Sequence, residues 1–296
     1  MSYSIPEDLG AFWAEAAAEA HAAPLDYHRS RSESTPIHHV DRVQFRGIDG
    51  GVRHGWIAHP EGAQRERSTL WVPPYGRESL LPNEYGTREG MVSLSLNFFG
   101  HESFHQEKYT PARGYFAEGI DEPSHYIFRR MFQDAYLAVR VLQAQPEVDE
   151  GRIGAMGMSQ GGGISIWLGA FCPIVKAVAA DMPFFGRLDW ALSKTAYRYP
   201  LKEIIDAMES IPMGRERIMH TVSYFDTAHI ATLCQVPTLV SLGEKDPAVR
   251  PEQAEAIFEA IPGTKTLLRY DWGHDWHPDM IKNNRDWLER FLPSSA

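Results

Sequence analysis

The chain has 296 residues, 43% of them hydrophobic and 23% charged, with 29 basic against 39 acidic side chains and a net charge of −10. That length is enough to bury a large core. The acidic balance argues against nucleic acid or an anionic membrane surface as a partner, and no run approaches the ~18–20 apolar residues of a membrane span.

In chain order, residues 6–20 read as a short Ala-rich helix with Pro6 near its start. Residues 52–59 alternate like a strand, ended by Pro60, and 69–72 and 91–96 are short apolar runs expected as buried strands. A long helix is predicted over 125–145, with Ser124 as its cap. Ile127, Met131, Ala135, Ala138 and Leu142 form its apolar stripe, and Pro146 ends it. Strand 153–156, helix 162–171 and strand 175–180 follow, then strand 238–242, helix 251–261, strand 264–270 and a last helix, 280–291. Strands alternating with helices predict an α/β fold, a doubly wound, mostly parallel sheet with helices on both faces. A single domain over 1–296 is expected, with an N-terminal helix and strand extension over about 1–60. Residues 182–226 break the alternation and are expected as a partly helical insertion over the carboxyl edge of the sheet.

Cys172 and Cys234 are too few for a disulfide framework and are not in a CxxC pair, so two buried free thiols are expected, as suits a reducing compartment. The opening MSYSIPEDLGAFW lacks a basic segment followed by an apolar one, and a cytoplasmic location is expected.

The stretch RIGAMGMSQGGGISIWLGA has the parts of a strand–turn–helix nucleophile elbow. Gly157 and Gly161 flank Ser159 as G-x-S-x-G, where missing Cβ atoms let the chain turn sharply. The backbone N–H of Gln160, at the helix N-terminus, would face a developing oxyanion. A serine nucleophile needs a base and a group to orient it, in the order Ser, acid, His. Asp246 lies in the loop after strand 238–242, and His274 in the loop after strand 264–270, so all three loops open on one sheet edge. Glu244, Asp181 and Asp226 are rival acids, and His277 is a rival base. The loop after 69–72, PPYGRES, offers the backbone N–H of Tyr75 as a second oxyanion donor.

A competing motif is the HExxH of GHESFH, residues 100–105. A zinc protease needs it inside a helix, so that both histidines share one face. Here it follows a strand and Gly100, with Pro111 close behind. In the extended form, Lys108 stands where glycine belongs and Pro111 where the third histidine belongs. No metal is expected, and the histidines are read as lining an entrance or an intersubunit surface.

With these pieces placed, the chain resembles the acetyl xylan esterase / cephalosporin C deacetylase family of α/β-hydrolases (carbohydrate esterase family seven). The resemblance spans about residues 5–290: FWAEAAAEA, HGWIAHP, the block from GYFAEGIDEPSHYIFRRMF through GMSQGGG, SYFDTAHIATLCQVPTLVSLGEKD and WGHD. It implies Ser159 as nucleophile, Asp246 as acid, His274 as base, and Tyr75 and Gln160 as backbone oxyanion donors. It also implies deacetylation of sugars or other small esters, no cofactor, and a homo-oligomer, often a hexamer. Two departures lie near the site. Asn97-Phe98-Phe99-Gly100 replaces the family's R-G-Q-G, and Pro73-Pro74-Tyr75 its H-G-Y. Other readings are a broader short-chain carboxylesterase, a peptidase of the same fold, and a non-catalytic ligand-binding relative.

Overall fold

The computed structural model of the chain describes residues 3–32, 34–76, 81–105, 109–193 and 198–293. Residues 77–79 of the Tyr75 loop, Lys108, and 194–197 of the expected insertion lie outside them. The chain begins α1 (Leu9–Ala22), β1 (Tyr27–Arg31), β2 (His39–Arg46), β3 (Val52–His59), β4 (Glu66–Val72) and β5 (Val92–Asn97). It continues α2 (Ile127–Gln143), β6 (Val148–Met158), α3 (Gln160–Phe171) and β7 (Val175–Asp181). Helices α4 (Leu188–Ser193), α5 (Leu201–Ser210), α6 (Gly214–Phe225) and α7 (Thr227–Ala231) precede β8 (Thr238–Gly243), α8 (Pro251–Ala260), β9 (Lys265–Tyr270) and α9 (Pro278–Phe291).

The nine strands form one sheet in the order β1-β2-β3-β5-β4-β6-β7-β8-β9. The steps from β1 to β5 are antiparallel, and every step from β5 to β9 is parallel. Every residue of β5 and β8 is buried, as strands covered on both faces must be. Alternate residues of β7 face opposite cores. Val178 and Ala180 join a cluster with α1, α2, α3 and α8, whereas Ala177 and Ala179 join one with Leu288 of α9 and Trp56 and Trp71. Helices therefore cover both faces. In the first cluster Trp13 of α1 stacks on Phe132 at 5.0 Å and donates its indole N–H to the Tyr224 carbonyl. These contacts tie the N-terminal helix to α2 and α6.

Three sequence expectations differ from this structure. Strands β1 and β2 were not expected. YHRSR is an edge strand with no fully buried residue, so it carries no apolar alternation. In β2 the buried positions Val40, Val43 and Phe45 are unevenly spaced, which breaks the period-2 pattern. Ser124 does not cap α2: Tyr126 is the N-cap, with no side-chain cap bond, and residues 117–126 form turns closed by Ile127 N–H to Glu118 C=O. The helical break after β7 also runs to the end of α7, five residues past 226. Both cysteines are free and buried.

Candidate active site

β6 delivers Ser159 to the carboxyl edge of the sheet, and the next residue opens α3. Ser159 sits at φ 57° and ψ −119°, a backbone conformation that L-residues occupy only when their surroundings force it. Its N–H donates to the Asp181 carbonyl at 2.8 Å, and its carbonyl accepts from Phe184 N–H at 2.9 Å and Gly163 N–H at 3.1 Å. The flanking glycines are required by space. A Cβ on Gly161 would lie 2.0 Å from the Val72 carbonyl oxygen, and one on Gly157 would lie 2.5 Å from the Gly161 carbonyl carbon. Gln160 is the first residue of α3, so its N–H has no acceptor within the helix and stands at the positive end of the helix dipole.

Asp246 follows β8 in a tight turn, its N–H bonded to the Gly243 carbonyl at 3.1 Å. One carboxylate oxygen accepts from the N–H groups of Ala248 (2.7 Å) and Val249 (2.8 Å). The other lies 2.6 Å from Nδ1 of His274, in the loop after β9. The Asp246 side chain is fully buried and that of His274 partly buried. A buried carboxylate against Nδ1 favours the tautomer with the proton on that nitrogen.

The rival residues are occupied elsewhere. His277 stacks on Tyr270 at 4.5 Å, and its Nδ1 accepts from Asp279 N–H at the start of α9. Glu244 is exposed and pairs with Arg269 at 3.0 Å. Asp181 accepts from Ser241 Oγ at 2.5 Å and Asn284 Nδ2 at 2.7 Å, and burial raises its carboxyl pKa. Asp226 accepts from the N–H groups of Arg187, Leu188 and Ala228 and from the Tyr3 hydroxyl.

Ser159, Gln160, His274 and Tyr75 border one cavity of about 700 Å³. Met158, Phe116 and Phe184 give it apolar walls, and Tyr109, Tyr199 and Trp272 line it with aromatic surface. Tyr109 and Trp272 are exposed, 43% and 41%, so they form its rim. Tyr199, Pro200 and Leu201 come from the segment between β7 and β8, which therefore closes one side of the cavity. Sequence reading did not single out Glu203, which accepts from the Tyr75 hydroxyl, or Tyr115, whose hydroxyl donates to the Gln160 side chain at 2.8 Å. For Glu203 there was a signal: a carboxylate on the same helical face as Ile204 and Ala207 requires buried partners.

GHESFH lies in turns after β5, not in a helix. Asn97 Nδ2 donates to the Glu102 carbonyl at 3.0 Å, and burial, with nearby His101, lowers the pKa of His54. Among the described residues, no group of three or more His, Cys, Asp or Glu is arranged to hold a metal. Neither His101 nor His105 lines the cavity. Phe99, which precedes the stretch, packs its ring 4.3 Å from that of Tyr115, the residue that bonds the Gln160 side chain.

The acetyl xylan esterase family model (AXE1) matches residues 2–293. The chain belongs to the acetyl xylan esterase family. Among curated relatives, the acetyl esterase Axe7A of Xylanibacter ruminicola is 21% identical over 285 residues, covering 92% of this chain. The chain spans 64% of Axe7A's own length. The acetyl xylan esterase of Paenibacillus sp. R4 superposes with a TM-score of 0.87 at 23% identity, covering 99% of this chain and 97% of that one. Acetyl xylan esterase 1 of Thermoanaerobacterium sp. JW/SL YS485 gives 0.83 at 23% identity, covering 99% and 96%. The mixed, mostly parallel nine-stranded sheet is thus the α/β-hydrolase fold of this family. Among the described residues, no helix is long and apolar enough to cross a membrane.

Proposed function

We propose that this chain is a serine esterase that removes acetyl groups from small esters, with acetylated carbohydrates as the substrate class, through a Ser159–His274–Asp246 triad. The observation that carries the proposal is the 2.6 Å contact between His274 Nδ1 and Asp246, with His274 and the strained Ser159 bordering one cavity. Family membership and the aromatic rim, suited to the apolar faces of a sugar, support the substrate class.

In this mechanism Ser159 Oγ attacks the ester carbonyl and its proton passes to Nε2 of His274. Asp246 holds the imidazole in the needed tautomer and stabilises the imidazolium. The N–H groups of Tyr75 and Gln160 stabilise the tetrahedral oxyanion, a contribution of ~3 kcal/mol per donor in comparable sites. The imidazolium then protonates the departing alcohol, leaving an acetyl–serine ester. Water attacks that ester by the same route, releasing acetate and restoring Ser159.

Ser159→Ala tests the reading. It should abolish p-nitrophenyl acetate turnover and fluorophosphonate labelling while leaving the melting temperature unchanged. Wild-type activity should fall steeply from acetyl to longer acyl esters and be absent on a peptide amide. Turnover retained in the variant overturns the assignment of Ser159.

A further inference from the structure

We infer that Glu203 is a positioning residue that sets the geometry of both oxyanion donors from the helical segment between β7 and β8. The inference rests on the serine esterase reading above and concerns a residue outside its triad. Glu203 is on α5, 2% exposed, with buried Ile204 and Ala207 beside it. A carboxylate in such a place must be ion-paired or held by hydrogen bonds. Among the described residues no Lys, Arg or His pairs with it, and three donors surround it instead. Oε1 accepts from the Tyr75 hydroxyl at 3.1 Å and Gly114 N–H at 2.8 Å, and Oε2 accepts from Phe116 N–H at 3.0 Å.

Those donors come from Tyr75, the first candidate oxyanion residue, and from the 114–116 loop that packs on its ring. Tyr75 is the first candidate donor, and its phenol is confined on a second side: a Cβ on Gly114 would lie 2.3 Å from Tyr75 Oη. The loop holding Gly114 and Phe116 also carries Tyr115, whose hydroxyl donates to the side chain of Gln160, the second candidate donor, at 2.8 Å. The Tyr75 ring packs on Tyr115 at 5.0 Å and on Phe116 at 4.8 Å. One carboxylate thus anchors the Tyr75 phenol directly and, through the backbone on either side of Tyr115, the side chain of Gln160, so it braces the two residues whose backbone N–H groups are the candidate donors. An oxyanion hole stabilises the transition state only when its donors are aimed in advance, so a shift of a few tenths of an ångström reduces turnover more than substrate binding. The same segment supplies Pro200 and Leu201 to the cavity wall, so substrate contact and oxyanion geometry share one support.

Glu203→Gln keeps the shape but turns an amide N–H₂ toward one of the donors it should accept from. The expected result is kcat for p-nitrophenyl acetate lower by about 10- to 100-fold per titrated active site, with KM within about two-fold. Fluorophosphonate labelling of Ser159 should slow in parallel, because that attack also builds negative charge on oxygen. Tyr75→Phe, which removes only the hydroxyl, should lower kcat in the same direction, and by less when Glu203→Gln is already present. A folded Glu203→Gln with unchanged kcat and labelling rate overturns the inference. If Glu203→Gln does not fold, an unchanged kcat in Tyr75→Phe overturns it. Absence of Ser159 labelling in the wild-type enzyme would instead overturn the esterase reading itself.

Discussion

Oδ2 of Asp246 lies 2.6 Å from Nδ1 of His274, while Oδ1 of the same carboxylate is held by two backbone N–H groups. An asparagine can satisfy those N–H groups through its carbonyl oxygen, but its N–H₂ must then face Nδ1. The imidazole is forced into the tautomer with a proton on Nε2, which cannot take the serine proton. Asp246→Asn should therefore lower kcat by ~10³–10⁴-fold with little change in KM or melting temperature. Steady-state kinetics with p-nitrophenyl acetate checks this, and a loss of less than about ten-fold would remove Asp246 from the triad.

The backbone at Ser159, φ 57° and ψ −119°, stores strain that only glycine relieves. Ser159→Gly and Ser159→Ala both remove the hydroxyl and should both be inactive. They should differ in stability, the glycine variant being favoured by about 1 kcal/mol, or a midpoint about 2 °C higher. Differential scanning calorimetry of the pair reads that difference directly. Equal midpoints would show that the turn carries no strain.

Burial pushes the Cys172 thiol up to about 11, so the folded chain resists an ionisation that the unfolded chain undergoes near its ordinary value of 9.0. The folded-state pKa is raised, so the stabilising contribution is full below about pH 9 and is lost as pH rises toward 11. The loss amounts to roughly 2 kcal/mol at the top of that window. Cys172→Ala should be less stable than wild type at pH 8, by the packing it loses. Its unfolding free energy should then fall less steeply between pH 9 and 10.5, as denaturant titrations at each pH would show. Parallel slopes would rule out this thiol as the alkaline trigger.

The HExxH residues lie in turns and outside the cavity lining. Prolonged EDTA treatment should leave p-nitrophenyl acetate turnover intact, and His101→Ala/His105→Ala should keep kcat within about two-fold of wild type. Activity lost to EDTA and restored by zinc would reverse this.

Much of the candidate site is legible locally because each part answers a local constraint. The glycines beside Ser159 are needed wherever a strand turns sharply into a helix, and here the Val72 carbonyl leaves a Gly161 Cβ no room. The loops holding Asp246 and His274 follow apolar strand runs, and parallel strands bring such loops to one edge. The elbow, the central strands, most helices and the order serine, acid, histidine were therefore open to a reader of the chain alone. Other features depend on contacts that no local pattern encodes. YHRSR becomes an edge strand only because β2 offers it a partner. His274 is preferred to His277 in the sequence by its place directly after the strand, whereas the engagement of His277 by Tyr270 and the start of α9 appears only in the folded chain. Glu203 meets Tyr75 across 128 residues of sequence, and that pairing exists only once α5 has packed against the oxyanion loops. Backbone sterics and periodicity act over a few residues and are written in the chain, whereas the partner of a buried charge is decided by packing.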